Sequence, residues 1–252
     1  MTGRMNDHMT GRMTGHLENP MTDPASLDDI RRDFERVSPD TVRAASAFAS
    51  SILADVAGRR GALDGRIAPL LPSMRIAGPA FTVEVRPGDN LMIHAAMAMA
   101  RPGDVLVIDG KADRSCALMG SIMLNACKKL GFNGVVLDAS VRDTEELREL
   151  GFPVYAIGAN PNGPTKSVPG RINWPITCGG VAVRAGDLVI GDADGIVVVE
   201  REKAGSLLAA AAVKVKDERA RIAGIVSGER IRPPWLEGAL RTAGVLRDGQ
   251  TL

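Results

Sequence analysis

Residues 101–150 read RPGDVLVIDGKADRSCALMGSIMLNACKKLGFNGVVLDASVRDTEELREL, and this stretch decides the fold. Two short apolar runs, at 105–108 and 135–137, have the length and the β-branched content of buried strands. A segment with helical character follows each run, at about 120–130 and at 144–150. Strands that alternate with helices predict a sheet whose faces are covered by helices.

The same alternation continues outward from this stretch. A strand is predicted at 75–86 and a helix at 90–100, and the later short strands are predicted at 154–157, 181–183, 188–190 and 196–199. A final helix is predicted at about 201–227. We therefore expect an α/β fold, a single domain over residues 26–252 with a mixed sheet and flanking helices.

Two further helices are predicted before the first strand. Ser26 and Asp29 form a capping box for a helix that ends near Val37. Ser38 and Pro39 then begin a second helix, which ends near Gly58. Residues 1–25 repeat the sequence MTGR and lack apolar periodicity, so they are expected to be either a disordered tail or the product of a misassigned translation start.

Composition excludes several classes of function. The chain has 252 residues, 45% of them hydrophobic and 3% aromatic, and its net charge is +1. No basic block or aromatic platform for nucleic acid is present, and no apolar run approaches the roughly 18 residues of a membrane span. We expect a cytoplasmic protein that binds neither nucleic acid nor membrane, and three cysteines that remain reduced.

Several short motifs are interpreted as turns or loops. The pattern Arg-x-Gly-Asp occurs at 86–89, 101–104 and 184–187 and is typical of tight turns. The segment at 158–167 resembles a phosphate-binding loop, but its lysine comes two residues late and prolines exclude the helix that would follow. The segment at 192–195 resembles the start of a calcium loop, but an apolar strand follows it, which predicts a hairpin.

The candidate site lies where two strands lead into helices. Parallel strands place such turns at one edge of the sheet, where ligands collect. Backbone amides at the start of the first helix suit an anion, Arg142 suits a carboxylate, and Asp143 suits a hard cation such as Mg²⁺. The amides belong to Gly120, Ser121, Ile122 and Met123. This set of groups suits a small oxo acid.

Plainer interpretations remain open for the same residues. Asp143 and Glu146 also form a capping box for the helix at 144–150. Arg142 is equally typical of a solvated surface residue. His94 is expected to be a core histidine, since it lies on an apolar helix, and Lys166 is expected to be an ordinary loop lysine.

Several motifs in order resemble one known family over about residues 41–229. They are DNL at 89–91, RPGDVLVIDG at 101–110, GFNGVVLDASVRD at 131–143, GRINWP at 170–175 and RAGDLVIGDADGIVVV at 184–199. They resemble the 4-hydroxy-4-methyl-2-oxoglutarate aldolases, a family that includes 4-carboxy-4-hydroxy-2-oxoadipate aldolases and RraA-type regulators of ribonuclease activity. The resemblance implies a swivelling β/β/α domain, assembled as a homotrimer or a hexamer with sites between subunits.

The resemblance also implies roles for individual residues. Asp143 matches a ligand of a divalent metal, Mg²⁺ or another ion such as Mn²⁺, and Arg142 matches the residue that holds the pyruvate carboxylate. The amides of Ile122 and Met123 assist, and Glu218 is similar to an acidic residue that reaches a metal-bound water from a neighbouring subunit. The aldolases carry an acid that serves proton transfer, separated from the matching arginine by twenty other residues, here 122–141. This chain has Ser121 there, which is a departure from the pattern.

The function that the resemblance implies is a metal-dependent lyase. The metal acts as a Lewis acid on a 2-oxo acid and stabilises the enolate from which pyruvate is released. Retro-aldol cleavage of a 4-hydroxy-2-oxo acid and decarboxylation of oxaloacetate both produce this enolate. The alternative is a non-catalytic RraA-like protein that binds and regulates a ribonuclease.

Overall fold

A mixed sheet with helices packed against it forms the body of the protein, in a computed structural model that describes residues 29–247 and 249–252. The strands are β1 (Ala68–Pro69), β2 (Ile76–Glu84), β3 (Val105–Met119), β4 (Gly134–Val141), β5 (Val154–Ala159), β6 (Arg171–Ile172), β7 (Ile176–Cys178), β8 (Val181–Val183), β9 (Leu188–Asp192) and β10 (Gly195–Val199). The helices are α1 (Pro39–Ala45), α2 (Ser50–Val56), α3 (Leu91–Met99), α4 (Ser121–Lys129), α5 (Thr144–Leu150), α6 (Ala204–Val226) and α7 (Leu236–Thr242). The predicted mixed α/β class is confirmed; the swivelling detail stays a prediction.

The centre of the sheet is parallel. Strands β2, β3, β4 and β5 lie side by side and parallel, and α3, α4 and α5 connect each one to the next. Antiparallel strands extend the sheet on both sides, giving the order β1-β5-β4-β3-β2-β9-β10, with β6 paired to β2 and with β7 and β8 in a separate hairpin. All four connections that follow the parallel strands therefore begin at the same edge.

Alternating side chains of β3 show how the core is divided. Leu106 and Ile108 are fully buried on the face covered by α3, α4 and α5, and Val105 and Val107 are fully buried on the face covered by the β7–β8 hairpin. A third apolar cluster joins α1, α2 and α6 to β9 and β10. Successive side chains of a strand point to opposite faces of the sheet. A short run in which every residue is apolar therefore predicts a strand that is buried on both faces.

The helix predicted from Ser26 to Val37 is wrong. Ser26 lies outside the described residues, and Asp29 to Val37 run extended across the sheet. The amide of Arg31 donates to the carbonyl of Ile172 at 3.0 Å, and the amide of Val37 donates to that of Gly186 at 3.0 Å. Hydrogen bonds to distant backbone replace the local ones of a helix, and a capping signal does not reveal that competition.

The helix predicted from Ser38 to Gly58 begins correctly but is two helices. The Ser38 hydroxyl accepts from the Thr41 amide at 3.1 Å, as an N-cap does. The chain then breaks between α1 and α2, because the carboxylate of Asp192 accepts from both the amide and the hydroxyl of Ser50, at 2.7 and 2.6 Å. This clamp from the end of β9 fixes where α2 begins.

Strand β3 is longer than the predicted run at 105–108. It continues to Met119 through register shifts against β4, and Lys111 and Ala112 adopt positive φ angles of 60° and 58°. Residues 109–119, between the predicted strand and the predicted helix, are therefore irregular strand. The other strands and helices predicted from 75 to 227 are confirmed within a few residues, whereas β1, β6, β7 and α7 were not predicted.

The turn and loop motifs behave as predicted. In each Arg-x-Gly-Asp segment the Asp amide donates to the Arg carbonyl, at 3.0, 3.0 and 3.1 Å, and the glycine has a positive φ. The segment at 192–195 is the turn between β9 and β10, and the segment after β5 is a loop.

Other sequence predictions concern the ends of the chain, the thiols and membranes. The predicted tail at 1–25 lies outside the described residues. All three cysteines are free and buried. Within 29–247 and 249–252, no helix combines the length and the apolar composition that crossing a bilayer requires.

A buried ion pair holds the extended N-terminal segment, which yields a stability prediction. The Arg36 guanidinium donates to both carboxylate oxygens of Asp104, at 2.8 and 2.9 Å, and the Asp104 side chain is 1% exposed. Arg36→Ala should lower the free energy of unfolding by about 3 kcal/mol, because it leaves a buried charge unpaired. Arg43→Ala is the control, since its pair with Asp40 is exposed and should contribute less than about 1 kcal/mol. Equal losses in chemical denaturation would contradict this account.

Candidate active site

The connections that follow the four parallel strands meet in one cavity of about 150 Å³. Each strand contributes through the segment after its carboxyl end, as open α/β sheets commonly do. The polar or charged residues in its lining are Asn90 and His94 after β2, Arg142 and Asp143 after β4, and Lys166 after β5. Gly120, Ile122 and Met123, after β3, also line the cavity. The tertiary structure thus brings together most of the residues predicted for the site.

Asp143 does not cap the helix that it precedes. It adopts a left-handed conformation with φ 58°, and its carboxylate makes no hydrogen bond to α5. Instead, Oδ2 accepts from the amide of Ser121, the first residue of α4, at 2.9 Å. The capping-box interpretation is therefore wrong. The unusual backbone turns the carboxylate toward the cavity and the neighbouring helix, and such strained conformations often occur at functional sites.

Arg142 lies beside Asp143 and is 43% exposed. Its Nε is 3.7 Å from Asp143 Oδ2, and its amide donates to the carbonyl of Met119 at 3.0 Å, which joins the ends of β3 and β4. The solvated-surface interpretation does not describe it fully, because the side chain lines the cavity. At 3.7 Å the guanidinium keeps most of its donors for a ligand.

A glycine is required at position 120 because there is no room for a side chain, and not because of its backbone conformation. Its φ of −147° is open to any residue, but a Cβ at this position would collide with Asp143 Oδ2 and lie 2.9 Å from Arg142 Cγ. The absence of a side chain thus lets the Arg142–Asp143 turn approach the start of α4.

The amides at the start of α4 face this turn. The first three residues of a helix have no intrahelical acceptor, and the first intrahelical bond here runs from Leu124 to Gly120. Asp143 takes the amide of Ser121, which leaves those of Ile122 and Met123 without a partner among the described residues. The Ser121 side chain is not part of the cavity lining. Ile122 lines the cavity and is 83% exposed.

Three cavity residues were missed by sequence reasoning. His94 is exposed at the cavity rather than buried in the core, so the prediction of a core histidine is wrong. Lys166 is on a loop, as predicted, but that loop is one wall of the cavity. Asn90 is 2% exposed; its Nδ2 donates to the Leu118 carbonyl at 2.8 Å, and its Oδ1 is buried without a partner. The sequence signal that could have identified these residues is their position after the carboxyl ends of β2 and β5.

The residues suit a metal that needs few protein ligands. In the part of the chain that the structure describes, no group of three or more His, Cys, Asp or Glu side chains is arranged to hold a metal. Asp143 offers a single carboxylate, whose Oδ1 has no partner among the described residues. Mg²⁺ is commonly bound through one or two carboxylates, with water and substrate supplying its other oxygens, whereas structural zinc needs four ligands.

Glu218 is not part of this cavity within one chain. It lies on α6, is 44% exposed and pairs with Lys214 at 3.0 Å. A larger cavity of about 530 Å³ lies between the α1–α2 break and β9. Its Asp192 is held by Ser50, and its Arg75 donates to two backbone carbonyls, so these groups have protein partners. The smaller cavity is therefore the better candidate.

Comparison with known proteins agrees with the fold. The RraA-like family model, described as Aldolase/RraA, matches residues 38–198. A protein of Halalkalibacterium halodurans named "Putative 4-hydroxy-4-methyl-2-oxoglutarate aldolase" is 42% identical over 159 residues, which are 63% of this chain and 76% of that protein. A Burkholderia multivorans protein of the same name is 34% identical over 157 residues, 60% of this chain and 95% of that protein.

A solved structure shares the fold as well. It is Streptomyces coelicolor RraAS2, described as an unusual member of the RNase ES inhibitor RraA protein family, with a TM-score of 0.70 and 29% identity over 75% of this chain and 98% of that one. Since the family model covers more than half of the residues and includes Arg142 and Asp143, the chain belongs to the RraA-like family.

Proposed function

We propose that this chain is a divalent-metal-dependent lyase of the cytoplasm that cleaves a carbon–carbon bond in a small 2-oxo acid and releases pyruvate. The reaction is retro-aldol cleavage of a 4-hydroxy-2-oxo acid, decarboxylation of oxaloacetate, or both. The observation that carries the proposal is the meeting of Arg142, Asp143 and the unpartnered amides of α4 in one cavity. The relatives named as aldolases support the same class of reaction.

Arg142 and α4 hold the anionic end of the substrate. The guanidinium forms a bidentate pair with a carboxylate, and the amides of Ile122 and Met123 donate to the same ligand. The partial positive charge at the start of α4 also favours negative charge that develops on the 2-oxo oxygen during cleavage. The site thus binds the transition state more strongly than the ground state.

Asp143 would hold Mg²⁺ or Mn²⁺ through its carboxylate, and the ion would act as a Lewis acid on the 2-oxo group. The Ser121 amide keeps this carboxylate in place at 2.9 Å, and the left-handed turn presents it to the cavity. The lack of a Cβ at Gly120 leaves room for that arrangement.

Proton transfer distinguishes the two reactions. Retro-aldol cleavage requires the 4-hydroxyl to lose its proton as the electron pair of the C3–C4 bond moves to C3, whereas decarboxylation requires no such deprotonation. The Ser121 hydroxyl is not an acid or base near neutrality, and its side chain is not part of the cavity lining. We therefore expect aldol cleavage to be the weaker activity.

Assembly completes the proposed site. We expect a homotrimer or a hexamer in which Glu218 of the partner subunit would reach a water bound to the metal that Asp143 would hold. Glu218 is exposed on α6 within one chain, where a second copy can reach it.

A non-catalytic regulator of a ribonuclease is the second candidate, because the Streptomyces coelicolor relative is described as belonging to an inhibitor family. A pyruvate-coupled assay with oxaloacetate and 4-hydroxy-4-methyl-2-oxoglutarate separates the two. Pyruvate release that EDTA abolishes and Mg²⁺ restores supports the lyase. No release from either acid, or release that is insensitive to EDTA, would contradict it.

Asp143→Asn should abolish metal-dependent pyruvate release. The amide oxygen can still accept from Ser121, so the free energy of unfolding should change by less than about 1 kcal/mol. Glu145→Gln, in the first turn of the same helix, is the control and should retain activity. Full activity of Asp143→Asn in the presence of Mg²⁺ would remove Asp143 from the proposed site.

Arg142→Ala should lower kcat/KM for oxaloacetate about 10- to 150-fold, since a hydrogen bond to a charged group contributes about 1.5–3 kcal/mol. Arg142→Lys should restore only part of the loss, because it keeps the charge without the planar fork. Arg148→Ala on α5 serves as an exposed arginine control. If steady-state kinetics gave equal values for Arg142→Ala and wild type, Arg142 would not bind the substrate carboxylate.

Ser121→Asp should raise retro-aldol turnover more than decarboxylation. A carboxylate on the residue whose amide contacts Asp143 would assist proton transfer, and a well-placed acid or base contributes about 10²- to 10⁴-fold. The ratio of the two kcat values, measured on one protein preparation, is the readout. Strong wild-type aldolase activity or an unchanged ratio would show that another group already transfers the proton.

A further inference from the structure

Pyruvate release requires a proton for which the proposed function names no donor. Cleavage of the bond between C3 and C4 leaves its electron pair in an enolate, and pyruvate forms only when C3 of that enolate takes up a proton. Retro-aldol cleavage and decarboxylation both need this step, whereas only the first needs a hydroxyl to lose its proton. A group that donates a proton near neutrality must therefore face the substrate.

The cavity lining offers few side chains that can donate a proton to carbon. In the part of the chain that the structure describes, the polar or charged side chains of the lining are those of Asn90, His94, Arg142, Asp143 and Lys166. An asparagine amide does not ionise, a guanidinium keeps its proton, and an ionised carboxylate only accepts. A lysine ammonium usually keeps its proton near neutrality. An imidazole is the group in this set that commonly gains and loses a proton near pH 7.

The His94 imidazole is free to exchange protons with water. The residue is exposed on α3, and its side chain makes no hydrogen bond or ion pair with any residue that the structure describes. Its backbone amide donates to the Asn90 carbonyl at 3.3 Å, within the first turn of the helix. The charged groups that line the cavity with it are Arg142, Asp143 and Lys166. A proton that His94 gives to a substrate can thus be replaced from solvent.

A buried carboxylate anchors the start of the helix that carries His94. Oδ1 of Asp89 accepts from the Leu91 amide at 2.9 Å, and Oδ2 accepts from the Thr165 hydroxyl and the Ser167 amide, both at 2.7 Å. Burial alone would raise the pKa of Asp89, but these hydrogen bonds lower it to about 2, so the carboxylate stays ionised near neutrality. Helix α3 is therefore fixed against the loop after β5 before any ligand binds, which reduces the entropy that binding costs.

Asn90 fixes the same helix against the end of β3. Its Nδ2 donates to the Leu118 carbonyl at 2.8 Å, two residues before the glycine that precedes α4. His94 lies one helical turn after Asn90, so both residues lie on one side of α3. The cavity has a volume of only about 150 Å³, and a small acid that is bound by Arg142 therefore also faces this side of α3.

We propose that His94, as an imidazolium, donates the proton that converts the enolate into pyruvate. The electron pair of the C2–C3 double bond forms the new C3–H bond, the carbonyl at C2 is restored, and His94 becomes a neutral imidazole that regains a proton from water. This inference rests on the proposed function, which supplies the enolate. A histidine that is protonated before cleavage cannot accept the proton of the 4-hydroxyl, which agrees with the expectation that aldol cleavage is the weaker activity.

Exchange of the methyl hydrogens of pyruvate with deuterium tests this role, because exchange runs the same proton transfer in both directions. Pyruvate and Mg²⁺ are incubated with the full chain in D₂O, and the methyl signal is followed by proton NMR. His94→Gln should lower the exchange rate about 10²- to 10⁴-fold. Calorimetry should give it the same affinity for pyruvate as the wild type, since Arg142 and the amides of α4 are unchanged. Lys129→Gln, on α4 and outside the cavity lining, is the control and should exchange at the wild-type rate.

Two further variants separate proton donation from a structural role. Added imidazole should restore part of the exchange in His94→Ala, because the vacated position opens to solvent. Lys166→Gln should lower the exchange rate less than His94→Gln does. Loss of pyruvate binding in His94→Gln, no restoration by imidazole, or a larger loss in Lys166→Gln would overturn the assignment of His94 as the donor.

The outcomes distinguish this inference from the proposed function. If the wild type releases pyruvate from a 2-oxo acid and His94→Gln exchanges at the wild-type rate, His94 is not the donor and the lyase proposal stands. If the wild type exchanges methyl hydrogens through His94 but releases no pyruvate from any 2-oxo acid, the proton transfer stands and the lyase proposal fails. Absence of both exchange and release in the wild type overturns both.

Discussion

Parallel pairing of four strands is the constraint on which the rest of this structure depends. Because β2 to β5 run in one direction, every connection that leaves them starts at the same edge, and four separate segments of the chain meet there. Each segment supplies different chemistry: an amide, helix-start amides, an arginine and an aspartate, and a lysine. Strand β4 is buried along its whole length, and the β3 residues in the cavity lining, Ala117, Leu118 and Met119, are apolar.

Buried carboxylates fix the segments that the sheet leaves undefined. The Arg-x-Gly-Asp turn occurs three times, and each aspartate, at most 2% exposed, also binds outside its own turn. Asp89 holds the loop of Lys166, Asp104 holds Arg36 of the extended N-terminal segment, and Asp187 accepts from the amide of Arg201 before α6. The aspartates of these three turns therefore also bind other segments of the chain, and the contact made by Asp89 shapes the candidate site.

Asp143 shows how a local rule and a tertiary contact compete. Its position before α5, three residues from Glu146, is typical of an N-cap, yet its carboxylate binds the amide of Ser121 on the neighbouring helix. The contact with Ser121 requires Asp143 to adopt a left-handed backbone conformation, with φ 58°, which is energetically unfavourable. A cost of this kind persists only when the surroundings enforce it, and here the missing side chain at Gly120 provides the space.

The sequence by itself determined the α/β class, the order of most strands and helices, and the pairing of Arg142 with Asp143 at a strand end. Apolar runs and turn residues are local signals, and they are strong where a strand is buried on both faces, as at 105–108. Only the tertiary structure decided that the segment before Ser38 is extended, that His94 faces a cavity and that Lys166 completes its wall. These outcomes depend on hydrogen bonds between residues far apart in sequence, such as Asp89 with Ser167, and no local pattern encodes such a partner.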